Sequence, residues 1–225
     1  MKNSLLMIKI YIFLFLLAGL SACSRPEGES IGYGYLDLEE IVFTVDGEVI
    51  PLTRAVDAGL QVQIYQNGGL VEGHDYAPGT DFSKRIVLPV GENYRVKAFT
   101  PDQTEATTGE AGHPVYEVES EIFRVSEGDI TAISLVAPQL NVGVDVSFDE
   151  SFTAVFTDIS VTIVSESTRS VTIVPGDEGF FRYFHLPVCG ELTYTVKCTN
   201  ADGESMEETK TLSVGAENYT IRISI

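Results

Sequence analysis

Strict alternation of apolar and polar residues runs through most of this chain. Leu140, Val142, Val144, Val146 and Phe148 are separated by Asn141, Gly143, Asp145 and Ser147. Ile159, Val161 and Ile163 alternate with Ser160 and Thr162. Leu192, Tyr194, Val196 and Cys198 alternate with Thr193, Thr195 and Lys197, and Tyr219, Ile221, Ile223 and Ile225 end the chain in the same way. Successive side chains on a strand point to opposite faces, so this pattern sets one face on a core and the other in water. β-Branched and aromatic residues fill the apolar positions, as a pleated half-buried surface prefers. Turn formers punctuate the runs: Gln66-Asn67-Gly68-Gly69, Pro175-Gly176-Asp177 and Asn200-Ala201-Asp202-Gly203. After Gly19 only Asp149 to Phe156 offers even one short helical turn. The fold class expected is all-β.

The alternating segments occur in two sets. Leu88-Pro89-Val90-Gly91 leads to Tyr94, Val96 and Ala98, and Leu186-Pro187-Val188-Cys189-Gly190 leads to Tyr194, Val196 and Cys198. Upstream, Leu60-Gln61-Val62-Gln63-Ile64 matches Ile159-Ser160-Val161-Thr162-Ile163. Downstream, Phe123-Arg124-Val125-Ser126 and Ile130 to Leu135 match Leu212-Ser213-Val214-Gly215 and Tyr219 to Ile225. Two copies of one β-sandwich of about 90 residues account for this. The boundary falls near Ala137-Pro138-Gln139, a connector too short for free hinge motion. Tyr33 to Pro51 has no counterpart in the repeat and reads as an extra strand or pair of strands before it. Asp46-Gly47 within it is a hairpin signal.

The N-terminus is of another kind. Lys2 and Lys9 are followed by the apolar run Ile10 to Leu20, 11 residues long, where a membrane-spanning helix needs roughly 20. Leu20-Ser21-Ala22-Cys23 comes directly after. A positive start, a short apolar stretch and small residues before a cleavage point make a secretory signal. The last four residues resemble the lipobox of bacterial lipoproteins at all four positions. That resemblance implies diacylglyceryl transfer to Cys23, cleavage before it and acylation of the new amine; the plainer alternative is an ordinary signal with a chance cysteine. Two or more acyl chains make anchoring stable where one does not. Ser24 in place of an aspartate implies sorting to the outer membrane. The division expected is signal peptide 1–22, tether 23–32, and sandwiches over 33–138 and 139–225.

The formal net charge is −19, and removal of the two lysines of the signal leaves the rest more negative still. Such a chain repels nucleic acid and anionic headgroups, so the membrane partner is expected through the lipid on Cys23 alone. An apolar content of 44 % is too high for a disordered chain. Besides Cys23 there are Cys189 and Cys198. An oxidising compartment invites a disulfide, but nine extended residues span roughly 30 Å and bridged Cα atoms lie within about 7 Å. Two free, largely buried thiols are the expectation.

The order of Gly34-Tyr35-Leu36-Asp37-Leu38, Thr53-Arg54-Ala55, the strand Leu-Pro-x-Gly-x-x-Tyr-x-Val-x-Ala, Val115-Tyr116, Phe123-Arg124-Val125, Leu140-Asn141-Val142 and Phe156-Thr157-Asp158-Ile159-Ser160-Val161 resembles a family of Bacteroidales surface lipoproteins of unknown function. That family is related by pattern to the fimbrillin and fimbrial-anchor proteins. The resemblance covers nearly all of the chain after the signal, and the order of the motifs carries it. It implies two tandem transthyretin-like, Ig-like sandwiches and a surface role in adhesion or fimbrial anchoring. In fimbrillins the first strand is removed by proteolysis after an arginine, and a partner's strand fills the slot. Arg54, before Ala55, stands where such a cut would fall. Pairing with pilin-like subunits would then proceed by strand addition. The plain alternative is a solvated arginine in a polar linker, and in an anchor or tip subunit the strand would stay.

No motif for catalysis or cofactor binding is present. His74, His113 and His185 are scattered, and Asp149-Glu150 and Asp177-Glu178 lack the pattern of a calcium loop. Neither a metal nor a cofactor is expected, and no enzyme. The densest aromatic run is Phe180-Phe181-Arg182-Tyr183-Phe184, with Phe181 and Tyr183 on one face. An exposed Phe181/Tyr183 face would take a glycan or protein; an aromatic strand covered on both faces would not. A surface glycan- or ligand-binding module serving an outer-membrane uptake system is therefore the second reading.

Overall fold

The computed structural model describes residues 31–45, 48–50 and 59–225. Sixteen strands are named in it. The first set is β1 (Tyr33–Val45), β2 (Glu48–Ile50), β3 (Gln61–Gln66), β4 (Gly69–Tyr76), β5 (Ile86–Pro89), β6 (Gly91–Phe99), β7 (Glu117–Glu119), β8 (Phe123–Val125) and β9 (Ile130–Pro138). The second set is β10 (Val142–Phe148), β11 (Thr157–Val164), β12 (Ser170–Ile173), β13 (Arg182–Phe184), β14 (Glu191–Thr199), β15 (Ser205–Ser213) and β16 (Asn218–Ile223). One helical turn, α1 (Glu150–Thr153), follows β10. The expected all-β sandwich architecture is what the chain adopts.

Each set makes two facing sheets. In the first, the N-terminal part of β1 lies between antiparallel β5 and parallel β9, while its C-terminal part pairs with β9 and β2. The opposing sheet runs β4-β3-β6-β7, with β8 also on β6. Leu36, Ile41, Leu88 and Leu135 from one sheet meet Val62, Ile64, Tyr94 and Val96 from the other. In the second set, β13-β10-β16 faces β12-β11-β14-β15. There Val144, Val146, Phe184 and Ile221 meet Val161, Ile163, Ile173 and Leu192. Both cores are built from the alternating positions, but β10 departs from the expected one-sided pattern: Val142 to Val146 are all buried and Leu140 is exposed, because Asn218, Tyr183 and Arg182 cover the second face at Gly143 and Asp145.

The pairing corrects the sequence reading of the first segment. β10 pairs antiparallel with β13 and parallel with β16, as β1 does with β5 and β9. Tyr33–Val45 is thus the first strand of the first copy and the counterpart of β10, not an addition before it. The match lies in backbone pairing and not in side chains, so no sequence echo marks it. β2 is the additional strand; α1 stands at that point in the second copy. Val45 pairs with Glu48; Asp46-Gly47, the expected hairpin signal, lies outside the described residues.

Two motif residues acquire physical reasons. The Tyr94 hydroxyl, with the ring fully buried, donates to the Pro89 carbonyl at 2.8 Å. It ties β6 to the end of β5 and accounts for the Leu-Pro-x-Gly-x-x-Tyr spacing. In the second copy the insertion at Cys189 lengthens this loop, and Tyr194 is only partly buried. Gly34 sits where β1 passes the end of β8. A Cβ there would lie 2.3 Å from the Ser126 carbonyl oxygen and 2.7 Å from Val125 Cγ1.

Both cysteines among the described residues are free; Cys198 is buried and Cys189 is exposed. The expectation of two buried thiols fails at Cys189 because it occupies a tight turn, closed by the Gly190 N–H on the Pro187 carbonyl (3.0 Å), outside the sandwich. The N–H groups of Val188 and Cys189 donate to the Glu166 carboxylate at 2.9 and 3.1 Å. The Cys189 thiol and these two N–H groups hold the Glu166 carboxyl below its usual range. In return, that carboxylate, aided by slight burial, pushes the Cys189 thiol up.

Gly34→Ala should lower stability by about 1–3 kcal/mol, because the obstructing atom is backbone and β1 must shift. Gly215→Ala, whose added Cβ would be 3.7 Å from Tyr219 Oη, should change it much less; urea unfolding of both variants distinguishes them. Iodoacetamide on the folded protein at pH 8 should label Cys189 and spare Cys198. Because the thiolate is the reactive form, Glu166→Gln should speed labelling at Cys189, which peptide mass spectrometry reads directly.

Candidate functional site

Several of the sequence-predicted positions fall outside the described residues: the lipidation site Cys23, and Arg54 with Ala55. What the structure describes is the strand lying between them and the fold. β1 is the middle strand of its sheet, held over the register Tyr33↔Pro89 to Leu36↔Ile86 on one side and Tyr35↔Ile130 to Thr44↔Pro138 on the other. Leu36, Leu38 and Ile41 are its buried knobs. A chain cut beyond β2 would therefore include the central strand of a sheet among the severed residues, and its loss would expose two rows of backbone groups together with the apolar floor beneath.

A second feature arises where the two sandwiches meet. The connection from β6 to β7, residues 100–116, leaves its own sandwich and runs along the other one. The Gly109 N–H donates to the Ser170 carbonyl (2.9 Å) on β12, and the Tyr183 N–H of β13 donates to the Ala111 carbonyl (2.7 Å). The strap thereby bonds to one outer edge of each sheet of the second sandwich, at β12 and β13. Side chains add to it. The His185 N–H reaches Glu105 Oε1 at 3.0 Å, and the Ser167 hydroxyl bonds to the other oxygen of Glu105. Asn141 accepts from the Val115 N–H (3.0 Å) and donates to the His113 carbonyl (2.9 Å).

Arg169 is the buried centre of this junction, 4 % exposed. Its guanidinium stacks on the Phe184 ring at 4.3 Å and donates from Nη2 to the Glu110 carbonyl. Burial pulls its pKa down, and the carboxylates of Glu105 and Glu110 pull it back. Nε and Nη1 have no protein partner. His113 and His185, far apart in sequence, donate from Nε2 to the successive carbonyls of Asp102 and Gln103 at 2.8 and 2.9 Å. They are brought together as strap ligands. Sequence reading found none of this, because the strap has no alternation and reads as a long polar loop.

The aromatic strand β13 is neither open nor fully closed. Phe184 is fully buried and Phe180 is 69 % exposed. Phe181 and Tyr183 are half-buried, with ring centroids 6.3 Å apart and planes tilted by 50°. The strap crosses beside them: a Cβ on Gly112 would be 3.1 Å from the Tyr183 carbonyl oxygen, and Gly112 has φ +73°. Tyr183 pairs with Gly143 across β10, and its ring occupies the space a side chain there would need, 3.0 Å from the position of a Cβ. Phe181 and Tyr183 thus line a junction as much as a surface. Among the described residues no group of His, Cys, Asp and Glu is arranged to hold a metal ion. Nor is any helix among them long and apolar enough to cross a membrane.

No curated protein shows significant sequence similarity to this chain. Among solved structures, a candidate cell adhesion protein from Bacteroides uniformis aligns at 14 % identity and a TM-score of 0.43, covering 87 % of this chain and 94 % of its own. A candidate adhesin from Bacteroides ovatus aligns at 12 % identity and a TM-score of 0.39, covering 91 % and 98 %. The pilus adhesin SpaC of Lactobacillus rhamnosus GG aligns at 10 % identity and a TM-score of 0.26, with 84 % of this chain covering 31 % of that one. Likenesses this weak transfer neither activity nor partner. The sequence match is of a different order: residues 32–225 fit the model of a family described as a domain of unknown function, DUF4493. That span includes both sandwiches and the strap between them, and the chain belongs to the DUF4493 family.

Proposed function

We propose that this protein is a non-catalytic, fimbrillin-like surface lipoprotein, a structural, adhesive or fimbrial-anchor subunit that works through protein–protein contacts. In this reading Cys23 carries the lipid, the outer membrane is the site of anchoring, and the sandwiches over 33–138 and 139–225 stand outside the cell. The observation that supports it is the place of β1. The strand nearest the tether is a central strand of the first sandwich, and it buries Leu36 and Ile41 at 0 % and 1 % exposure. Burial of such a side chain stabilises by about 1.5–3 kcal/mol, so an uncut chain couples the anchor firmly to the fold. A cut at Arg54 would free the same strand and leave a slot suited to a partner's strand.

The second sandwich offers a further contact of the same kind. Its edges at β12 and β13 are covered by the strap, while β15 and β16 each pair on one side only. The exposed side chains of Glu208 and Lys210 on β15 form an ion pair at 3.3 Å, and charges along an open edge strand discourage indiscriminate pairing. That arrangement suits a subunit that accepts a specific neighbour.

Intact-mass and N-terminal peptide analysis of the protein taken from cell envelopes tests this reading. An acylated Cys23 is expected on an anchor, and an N-terminus at Ala55 on a polymerised subunit; Cys23→Ala should move the protein out of the membrane fraction. An unmodified N-terminus near residue 23 in a protein that stays soluble and monomeric would defeat the proposal.

A further inference from the structure

The outer face of the sheet β4-β3-β6-β7 carries a groove of about 610 Å³, within the roughly 300–1,000 Å³ usual for small-ligand sites. Its walls are Tyr65, Asn67, Asn93, Arg95, Lys97 and Glu119. The register explains their company: Tyr65 pairs with Arg95 across β3 and β6, and Lys97 with Glu119 across β6 and β7. All four alternate with inward residues such as Ile64, Tyr94 and Val96, which are fully buried. The wall is thus carried on a rigid sheet.

The end of the groove is also fixed. Asn67 and Asn93 have φ of 52° and 60°, a region that L-residues other than Asn and Asp rarely enter. The Asn67 N–H donates to the Asn93 carbonyl (3.1 Å), and Asn93 Nδ2 donates to Asn67 Oδ1 (2.9 Å). This uses one half of each side-chain amide and leaves the other half, a donor on Asn67 and an acceptor on Asn93, unused.

The chemistry narrows the ligand. Each cation already has a carboxylate: Arg95 with Glu119 at 3.2 Å, and Lys97 with Glu117 at 2.9 Å. The groove therefore has no uncompensated positive charge to attract an anion, and the chain as a whole is at −19. An extended peptide would need unpaired backbone, but on a sheet face the backbone groups are spent on neighbouring strands. What remains is one aromatic ring, the exposed apolar side chain of Ile122, two half-free amides, and ion-paired groups that still offer donors and acceptors to water. A ligand carrying many hydroxyls, each both donor and acceptor, with an apolar C–H face, matches that set. We infer that this groove binds a neutral saccharide, stacked on Tyr65 and hydrogen-bonded by Asn67, Asn93, Arg95 and Glu119. The site is separate from the Phe181/Tyr183 face and does not depend on whether the chain is anchored or assembled.

The test uses the full chain after the signal, with Cys23→Ala for solubility and ¹⁵N-labelling, titrated with cellohexaose, mannohexaose, laminarihexaose and galactohexaose into the millimolar range. At least one should shift the amides of residues 65–68, 93–97 and 119. Tyr65→Ala should weaken that binding tenfold or more, Tyr65→Phe should retain it, and Phe181→Ala should leave it unchanged. Unshifted spectra with all four sugars would overturn the inference. So would shifts confined to residues 180–185, or clearly tighter binding of a sulfated hexasaccharide than of its neutral form.

Discussion

Each sandwich is held shut by the parallel pairing of its first strand with its last. β1 meets β9 over nine pairs of residues, and β10 meets β16 over six. Parallel neighbours cannot be joined by a short turn, so the chain travels through the opposing sheet before it returns. That return places every other strand. β3, β4 and β6 in the first copy, and β11, β12 and β14 in the second, become the facing layer. Because the pairing joins the ends of each unit, it also makes the N-terminal strand a structural member of the fold instead of a fringe.

The strap adds the second constraint. A polar loop from one sandwich bonds to one edge of each sheet of the other. Edge strands with bare N–H and C=O groups invite unwanted pairing. Here one pair of edges is covered within the chain by residues 109–111, while β15 and β16 stay open. The covering is sealed at Arg169, where a desolvated guanidinium stacks on Phe184 and bonds to the Glu110 carbonyl. Such a group is costly to bury unless its donors find partners; Nη2 has one in the strap, while Nε and Nη1 have no protein partner. A slip of the strap would remove the one protein acceptor that the guanidinium has.

The polar residues of the two outer faces show how an acidic chain distributes its few cations. Lys97 and Lys197 occupy matching places on β6 and β14, and each pairs with a carboxylate on the neighbouring strand, Glu117 at 2.9 Å and Glu207 at 3.1 Å. Exposed pairs of this kind stabilise by only about 0–1 kcal/mol each. Their larger effect is to neutralise the sheet faces locally, so that recognition there rests on hydrogen bonding and stacking and not on charge.

Alternation by itself determined the all-β class, the strands β3, β6, β10, β11, β14 and β16, and most of the core, because period-2 patterning is a local property that burial selects residue by residue. It determined the repeat too, since both copies reuse Leu-Pro and Tyr-x-Val at the same turn and strand. The N-terminal motif around Cys23, also a string of adjacent residues, lies outside the described residues and stands as an expectation from the sequence. Tertiary structure alone decided that β1 is the first strand of the first copy, because a shared pairing partner leaves no mark on side-chain order. It alone decided that Cys189 is exposed, that residues 100–116 belong to the other sandwich as much as to their own, and that Tyr65, Asn93 and Glu119 share one groove. These depend on contacts between residues distant in sequence. They follow from strand register and loop path, and no local pattern encodes either.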